Sequence, residues 1–156
     1  MRKTSAKKKI LLPDPRFGNT TVTRFVNNLM FDGKKTTAFR LFYTALDNIS
    51  EKVQDEEALV VFEKALENVM PHVEVRSKRI GGATFQIPHP VREDRRISLG
   101  MKWMIAAARK RNEKTMDARL SAELMAAYKE EGTAYKKKQD VHRMAEANKA
   151  FSHFRF

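Results

Sequence analysis

Apolar residues recur along this chain at helical spacing, with one stretch that breaks the rule. Val22, Phe25, Val26, Leu29 and Met30 share one face of a helix that should begin at Thr20 or Thr21, either of which can cap it. Gly33 is placed to close that helix in the left-handed conformation, with Lys34 and Lys35 in the short turn beyond. A second stripe follows at Ala38, Leu41, Phe42, Ala45, Leu46, Ile49 and Val53. Leu59, Phe62, Leu66, Val69 and Met70 predict a third helix over about residues 57–70, stopped by Pro71. Ile97, Met101, Met104, Ile105 and Ala108 predict a long fourth helix over roughly residues 92–111, set up by Pro88 and Pro90. Met116, Leu120, Leu124 and Tyr128 mark a fifth over about 115–131, ended by Gly132. A sixth, over about 135–150, is less amphipathic and more basic. The Met and aromatic positions in these stripes, Met104 and Trp103 among them, are expected in the core.

The exception is residues 73–91, VEVRSKRIGGATFQIPHPV, which form two strand-like runs joined by Gly81 and Gly82. Two glycines supply the positive φ angles of a tight hairpin turn. A turn there pairs Ile80 with Ala83, Lys78 with Phe85 and Arg76 with Ile87. One face then mixes basic and apolar side chains, and the other carries Arg79, Thr84, Ser77 and Gln86. Neither face is cleanly apolar. The ribbon is therefore expected to project from the body, with its cations on phosphates and Phe85 free to pack against sugar or base.

The fold class predicted is mainly α: a single helical domain of about six helices with a protruding two-stranded β-ribbon between the third and fourth. Residues 1–18 are set apart as a basic arm, in which Arg2, Lys3, Lys7, Lys8 and Lys9 precede Pro13, Pro15 and Arg16. Such an arm repels itself when free and orders on an anionic partner. Residues 19–156 form the helical domain, with the hairpin at about 73–91.

Charge sharpens the picture. The 156 residues hold 31 Lys and Arg against 19 Asp and Glu, for a net charge of +12 and a pI near 10.1. That balance points to nucleic acid or an anionic surface. It is also segregated. Asp47, Glu51, Asp55, Glu56, Glu57, Glu63 and Glu67 lie on the second and third helices and their turn, leaving one acidic back and one anion-facing side. Arg92, Arg95, Arg96 and Lys102 crowd the first half of the fourth helix, and Arg109, Lys110 and Arg111 its end. Cations at a helix N-terminus oppose the macrodipole, so a group outside the helix should compensate them, and phosphate is the simplest candidate.

Other classes find little support. No apolar run reaches the roughly 20 residues of a membrane span, and the N-terminal stretch lacks the apolar core of a secretory signal. There is no cysteine, which removes disulfides and fits a reducing cytoplasm. His72, His89, His142 and His153 show no metal-ligand spacing, so no metal or cofactor is expected. No phosphate loop or nucleophile elbow occurs, and Glu93 with Arg96 reads as a surface ion pair rather than acid–base machinery. The chain is not expected to be an enzyme. The rival class is a helical DNA-binding regulator, which would concentrate base-reading side chains on one recognition helix. Here the cations spread over loops, ribbon and arm, as suits irregular folded RNA.

Several blocks then carry a resemblance. Asn19-x-Thr21, Phe25-Val26, Gly33-Lys34-Lys35, Leu41-Phe42 and Ala45 occur in order, together with LPDPRFGN, VRSKRIGGATFQIP, WMIAAARKR and KKKQDVHRMAEANKAFSHFRF. Over essentially its whole length the chain resembles the family of the seventh protein of the bacterial small ribosomal subunit. The resemblance implies primary binding to 16S ribosomal RNA, nucleation of the subunit head, and a place near the tRNA exit site and the messenger exit path. It implies small-subunit proteins nine and eleven as neighbours, and a monomer within a cytoplasmic ribosome. It puts the RNA-binding regions on the arm with Arg16, on Lys34 and Lys35, on Arg76, Lys78 and Arg79, on Arg92, Arg95 and Arg96, and on Arg109, Lys110, Arg111 and Lys114. It brings the uncharged hairpin tip, Ile80, Gly81, Gly82 and Ala83, toward tRNA or messenger.

Overall fold

Asn19, and not Thr20 or Thr21, caps the first helix. Its side chain accepts the Thr21 N–H at 2.7 Å, and its backbone is extended, as a cap requires. The structure, a computed structural model, describes residues 10–154. From that cap the chain runs through α1 (Thr20–Leu29), α2 (Lys35–Lys52) and α3 (Ala58–Val69). An antiparallel pair follows, β1 (Val73–Ile80) and β2 (Ala83–Pro90), and then α4 (Glu93–Arg109), α5 (Met116–Tyr128) and α6 (Gly132–Ala147). A 3-10 helix, Lys149–Phe154, comes last. Among the described residues the architecture is mainly α, with six α-helices and one two-stranded ribbon between α3 and α4.

The stripes point inward as their spacing requires. Phe25 of α1, Phe42 of α2 and Phe62 of α3 meet with ring centroids 5.1–5.4 Å apart, two of the three contacts edge to face. Aromatic pairs favour that arrangement over a flat sandwich. α5 packs against α2, α3, α4 and α6 together, burying Leu120, Leu124 and Ala127. A helix surrounded on several sides needs no single apolar stripe, which is why α5 is the least one-sided of the six.

Two helix C-termini also differ from expectation. α1 stops at Leu29, so Gly33 does not close it. Asp32 and Gly33, with φ of 52° and 72°, instead turn the chain toward α2. α5 ends at Tyr128, and the left-handed residue there is Glu130, with φ of 59°. The Glu131 N–H returns to the Ala126 carbonyl at 2.8 Å, completing the C-terminal motif. Gly132 opens α6 instead of closing α5. A Cβ at Gly132 would stand 3.1 Å from Glu123 Oε1. The missing side chain makes room for the fully buried Glu123 carboxylate, which accepts the Ala134 N–H at 2.9 Å and so caps α6 from α5. Arg111 Nη1 donates to the other oxygen at 2.7 Å.

Five of the arm's cations, Arg2, Lys3, Lys7, Lys8 and Lys9, lie outside the described residues. From Leu12 on, the segment is tied to the body. The Leu12 carbonyl accepts from Thr23 Oγ1 at 2.9 Å. The buried Asp14 carboxylate accepts the N–H groups of Arg16, Phe17 and Asn19 and the Tyr43 hydroxyl. One carboxylate thus satisfies three N–H groups of a turn that has no secondary-structure partners.

Candidate nucleic-acid interface

The ribbon takes the register that a two-residue Gly-Gly turn dictates, with Arg76 opposite Ile87, Lys78 opposite Phe85 and Ile80 opposite Ala83. Gly81 and Gly82 both have positive φ, 56° and 89°, as the turn requires. Its root is held from two sides. The His72 N–H donates to His142 Nε2 of α6 at 3.1 Å, and Ile87 is fully buried. Phe85 is not free for sugar or base: its ring lies 5.2 Å from that of Phe151 in the 3-10 helix. The sequence pattern of the two strands contains no sign of this contact, because Phe151 comes from far along the chain.

Glu74 organises the cations at the root. Its carboxylate, 11% exposed, accepts Arg76 Nε at 2.7 Å and Arg95 Nε at 2.8 Å. Burial pushes the Glu74 carboxyl up, but the hydrogen bonds from Arg95 and Arg76 outweigh burial and hold it below the usual carboxylate range. The two guanidiniums remain more than half exposed. With Arg92, His89, Pro90, Glu93 and Asp94 they line a groove of about 930 Å³ between the ribbon and the start of α4. Charged hydrogen bonds to a fixed carboxylate set the direction of each fork, leaving its remaining N–H groups for an anion.

This pairing also corrects the expectation for α4. Its first-turn cations are offset from within the protein, by Glu74, by Glu93 and by Asp94. Arg96 pairs with Glu93 at 2.6 Å and is largely covered. Phosphate is not required to explain their position, since Glu93 and Asp94 already complement the helix N-terminus.

The other expected residues fall into two groups. Lys34, Lys35, Lys78, Arg79, Lys110 and Lys114 are exposed. Arg16 is pinned, with Asp47 at 2.7 Å and the Phe17 and Tyr43 rings beneath its guanidinium. Arg109 is half-buried over the Phe31 ring. Arg111 faces inward, bonded to Glu113 and Glu123, so its charge is spent within the body. The tip residues Gly81, Gly82 and Ala83 are exposed and Ile80 is half-exposed. Sequence reasoning missed Glu74, and its one signal was an acid standing alone in a basic strand. It also passed over the exposed α6 cations Lys136, Lys137 and Arg143. Part of the expected acidic back is gathered: Asp47, Asp55, Glu56 and Glu57 line a separate depression beside Arg16.

A pH dependence follows from Glu74. Its folded carboxyl is depressed, so its stabilising effect is complete above the unfolded value of about 4.3 and is lost as pH falls through the lower folded one. The melting-temperature advantage of the unsubstituted protein over Glu74→Gln should therefore shrink steadily below about pH 4. A gap that stays constant with acidification would show that the carboxylate's charge is not what holds Arg76 and Arg95.

Among the described residues no helix is long and apolar enough to cross a membrane. The family model described as Ribosomal protein S7p/S5e matches residues 1–149. A Flavobacterium johnsoniae protein named Small ribosomal subunit protein uS7 is 65% identical over 158 aligned positions, covering 100% of both chains. Proteins of the same name from Cytophaga hutchinsonii and Nitrobacter hamburgensis are 60% and 57% identical, covering 100% and 99% of each chain.

Proposed function

Because the chain belongs to the ribosomal protein S7p/S5e family, and is thus a structural constituent of the small ribosomal subunit, we propose that it is a primary 16S rRNA-binding protein that nucleates assembly of the subunit head. The observation that carries this reading is the distribution of its exposed cations. They are spread over a turn, a ribbon and its root, a helix start, an interhelical loop and α6, instead of being gathered on one recognition helix. Folded RNA offers phosphates at irregular positions and is bound by shape, which such a surface can follow. Arg76, Arg92 and Arg95 around the groove, Lys78 and Arg79 on the stem, Lys34 and Lys35, and Lys110 and Lys114 are the phosphate contacts. Arg2, Lys3, Lys7, Lys8 and Lys9 add to them from the arm. Arg16, Arg96, Arg109 and Arg111 act chiefly by holding their own neighbourhoods in shape.

The uncharged tip, Ile80 to Ala83, reaches toward exit-site tRNA and messenger. Small-subunit proteins nine and eleven are the neighbours, and the chain is a monomer within the ribosome. A gel-shift comparison of a folded 16S head fragment with duplex DNA of equal length tests the core of this reading. The RNA should be bound far more tightly at equal salt, and equal affinities would overturn it. Replacing Lys78 and Arg79 with Ala should weaken rRNA binding and leave the melting temperature unchanged. Shortening the ribbon below Ile80 and Ala83 should spare head assembly but alter tRNA retention at the exit site. Failed assembly with normal tRNA retention would reverse the roles of stem and tip.

A further inference from the structure

The α1–α2 turn carries a group that phosphate contacts leave unused. Phe31 is 63% exposed, yet its ring is held in place. The Arg109 guanidinium of α4 stands 4.0 Å from the ring centroid and is itself fixed by donating to the Leu29 carbonyl at 3.1 Å. The Lys34 N–H donates to the Phe31 carbonyl at 2.9 Å, closing the turn through Asp32 and Gly33. The ring is thus oriented by its own backbone and by a stacked cation from another helix. Core packing does not account for that placement, because most of the ring's surface faces solvent.

The surroundings identify what such a ring would take. Lys34 follows in the same turn, Lys35 opens α2, and Lys110 is the next residue after Arg109, all three exposed. The one acid in the turn, Asp32, pairs with Lys34 at 3.8 Å across an exposed gap, an arrangement too solvated to bind either strongly. A flat apolar ring backed by a guanidinium and flanked by cations matches a flat base carried between two phosphates. The guanidinium behind the ring extends the platform, since arginine planes also stack.

We propose that Phe31, backed by Arg109, is a stacking platform for an unpaired nucleobase of the bound RNA. This rests on the rRNA-binding reading above and adds to it a contact that is not electrostatic. Stacking and phosphate contacts separate experimentally, because only the latter release counterions. The full chain and a folded 16S head fragment serve as the probe, with Phe31→Ala, Phe31→Leu and Phe31→Trp compared across a salt series. Phe31→Ala and Phe31→Leu should each lose about 5- to 150-fold in affinity, with the salt slope and the melting temperature unchanged. Phe31→Trp should keep the affinity, and its emission, measured against the Trp103 background, should be quenched on RNA. Wild-type binding by Phe31→Leu would mean that mere apolar contact suffices, and the platform would be overturned. An unaffected Phe31→Ala, or an unquenched Phe31→Trp, would overturn it equally while leaving rRNA binding intact. Failure of the unsubstituted chain to bind the fragment would overturn both readings.

Discussion

Replacing Arg111 with Met should destabilise the protein by about 3–5 kcal/mol, lowering its melting temperature by roughly 6–20 °C. The Glu123 carboxylate is fully buried. It is satisfied on one side by the Ala134 N–H of α6 and on the other by the Arg111 guanidinium. Burial pushes the Arg111 guanidinium down, but its hydrogen bonds to Glu123 and Glu113 more than reverse this and raise it further. Without Arg111 the carboxylate keeps its cap on α6 but loses the opposing charge, and an uncompensated buried ion is among the costliest defects a single substitution makes. Adding Glu123→Gln should recover most of the loss, because the amide oxygen still accepts from Ala134 and no charge remains. Denaturant titration of the two single variants and the double variant closes the cycle. A single-variant loss below about 1 kcal/mol would show that the pair is merely a surface contact. Any fall in RNA affinity for Arg111→Met should follow the unfolded fraction and leave the salt slope untouched.

The second large effect is on binding. Affinity for the 16S head fragment should drop by about 10³–10⁵ between roughly 50 and 200 mM salt, taking some 6–10 phosphate contacts at the slope known for duplexes. Lys35→Ala should lower that slope by about one, as loss of a single phosphate contact does. Charge-neutral substitutions at Asp55 and Glu57, on the acidic side of the body, should leave it unchanged. A titration that is nearly flat would mean that binding is not dominated by the phosphate backbone.

The elements were readable where the cause is local. The spacing of Phe25, Phe42 and Phe62 within their stripes locates the core, because one face of each helix must be apolar to leave water. Gly81-Gly82 settles the ribbon register, because a two-residue turn allows only one pairing. What escaped prediction depends on partners remote in sequence. Glu74 meets Arg95 across the start of α4, Glu123 meets Arg111 and the first turn of α6, and Phe85 meets Phe151. Helix ends fall between these cases. Gly33 and Gly132 do occupy positive φ, but each serves the start of the following helix, and Glu130 takes the left-handed position after α5. Composition marks a left-handed residue without saying which helix it belongs to. The same limit applies to the cations. Their number is plain from the chain, but whether a guanidinium faces solvent or a buried carboxylate depends on the packing.

The Phe85–Phe151 contact has a mechanical side. A two-stranded ribbon has no neighbouring strand to stiffen it, so its tip behaves as the end of a cantilever. Phe85 lies opposite Lys78, and only the pairs Arg79–Thr84 and Ile80–Ala83 extend beyond it. The overhang is therefore about 7 Å, two residues' rise along a strand. Without the 3-10 helix on β2, the next firm anchorage is the buried Ile87, which doubles the overhang to about 14 Å. Bending compliance climbs steeply with overhang. The scatter in where the tip comes to rest is thus set in part by the 3-10 helix packed on β2, whose Phe151 belongs to neither strand.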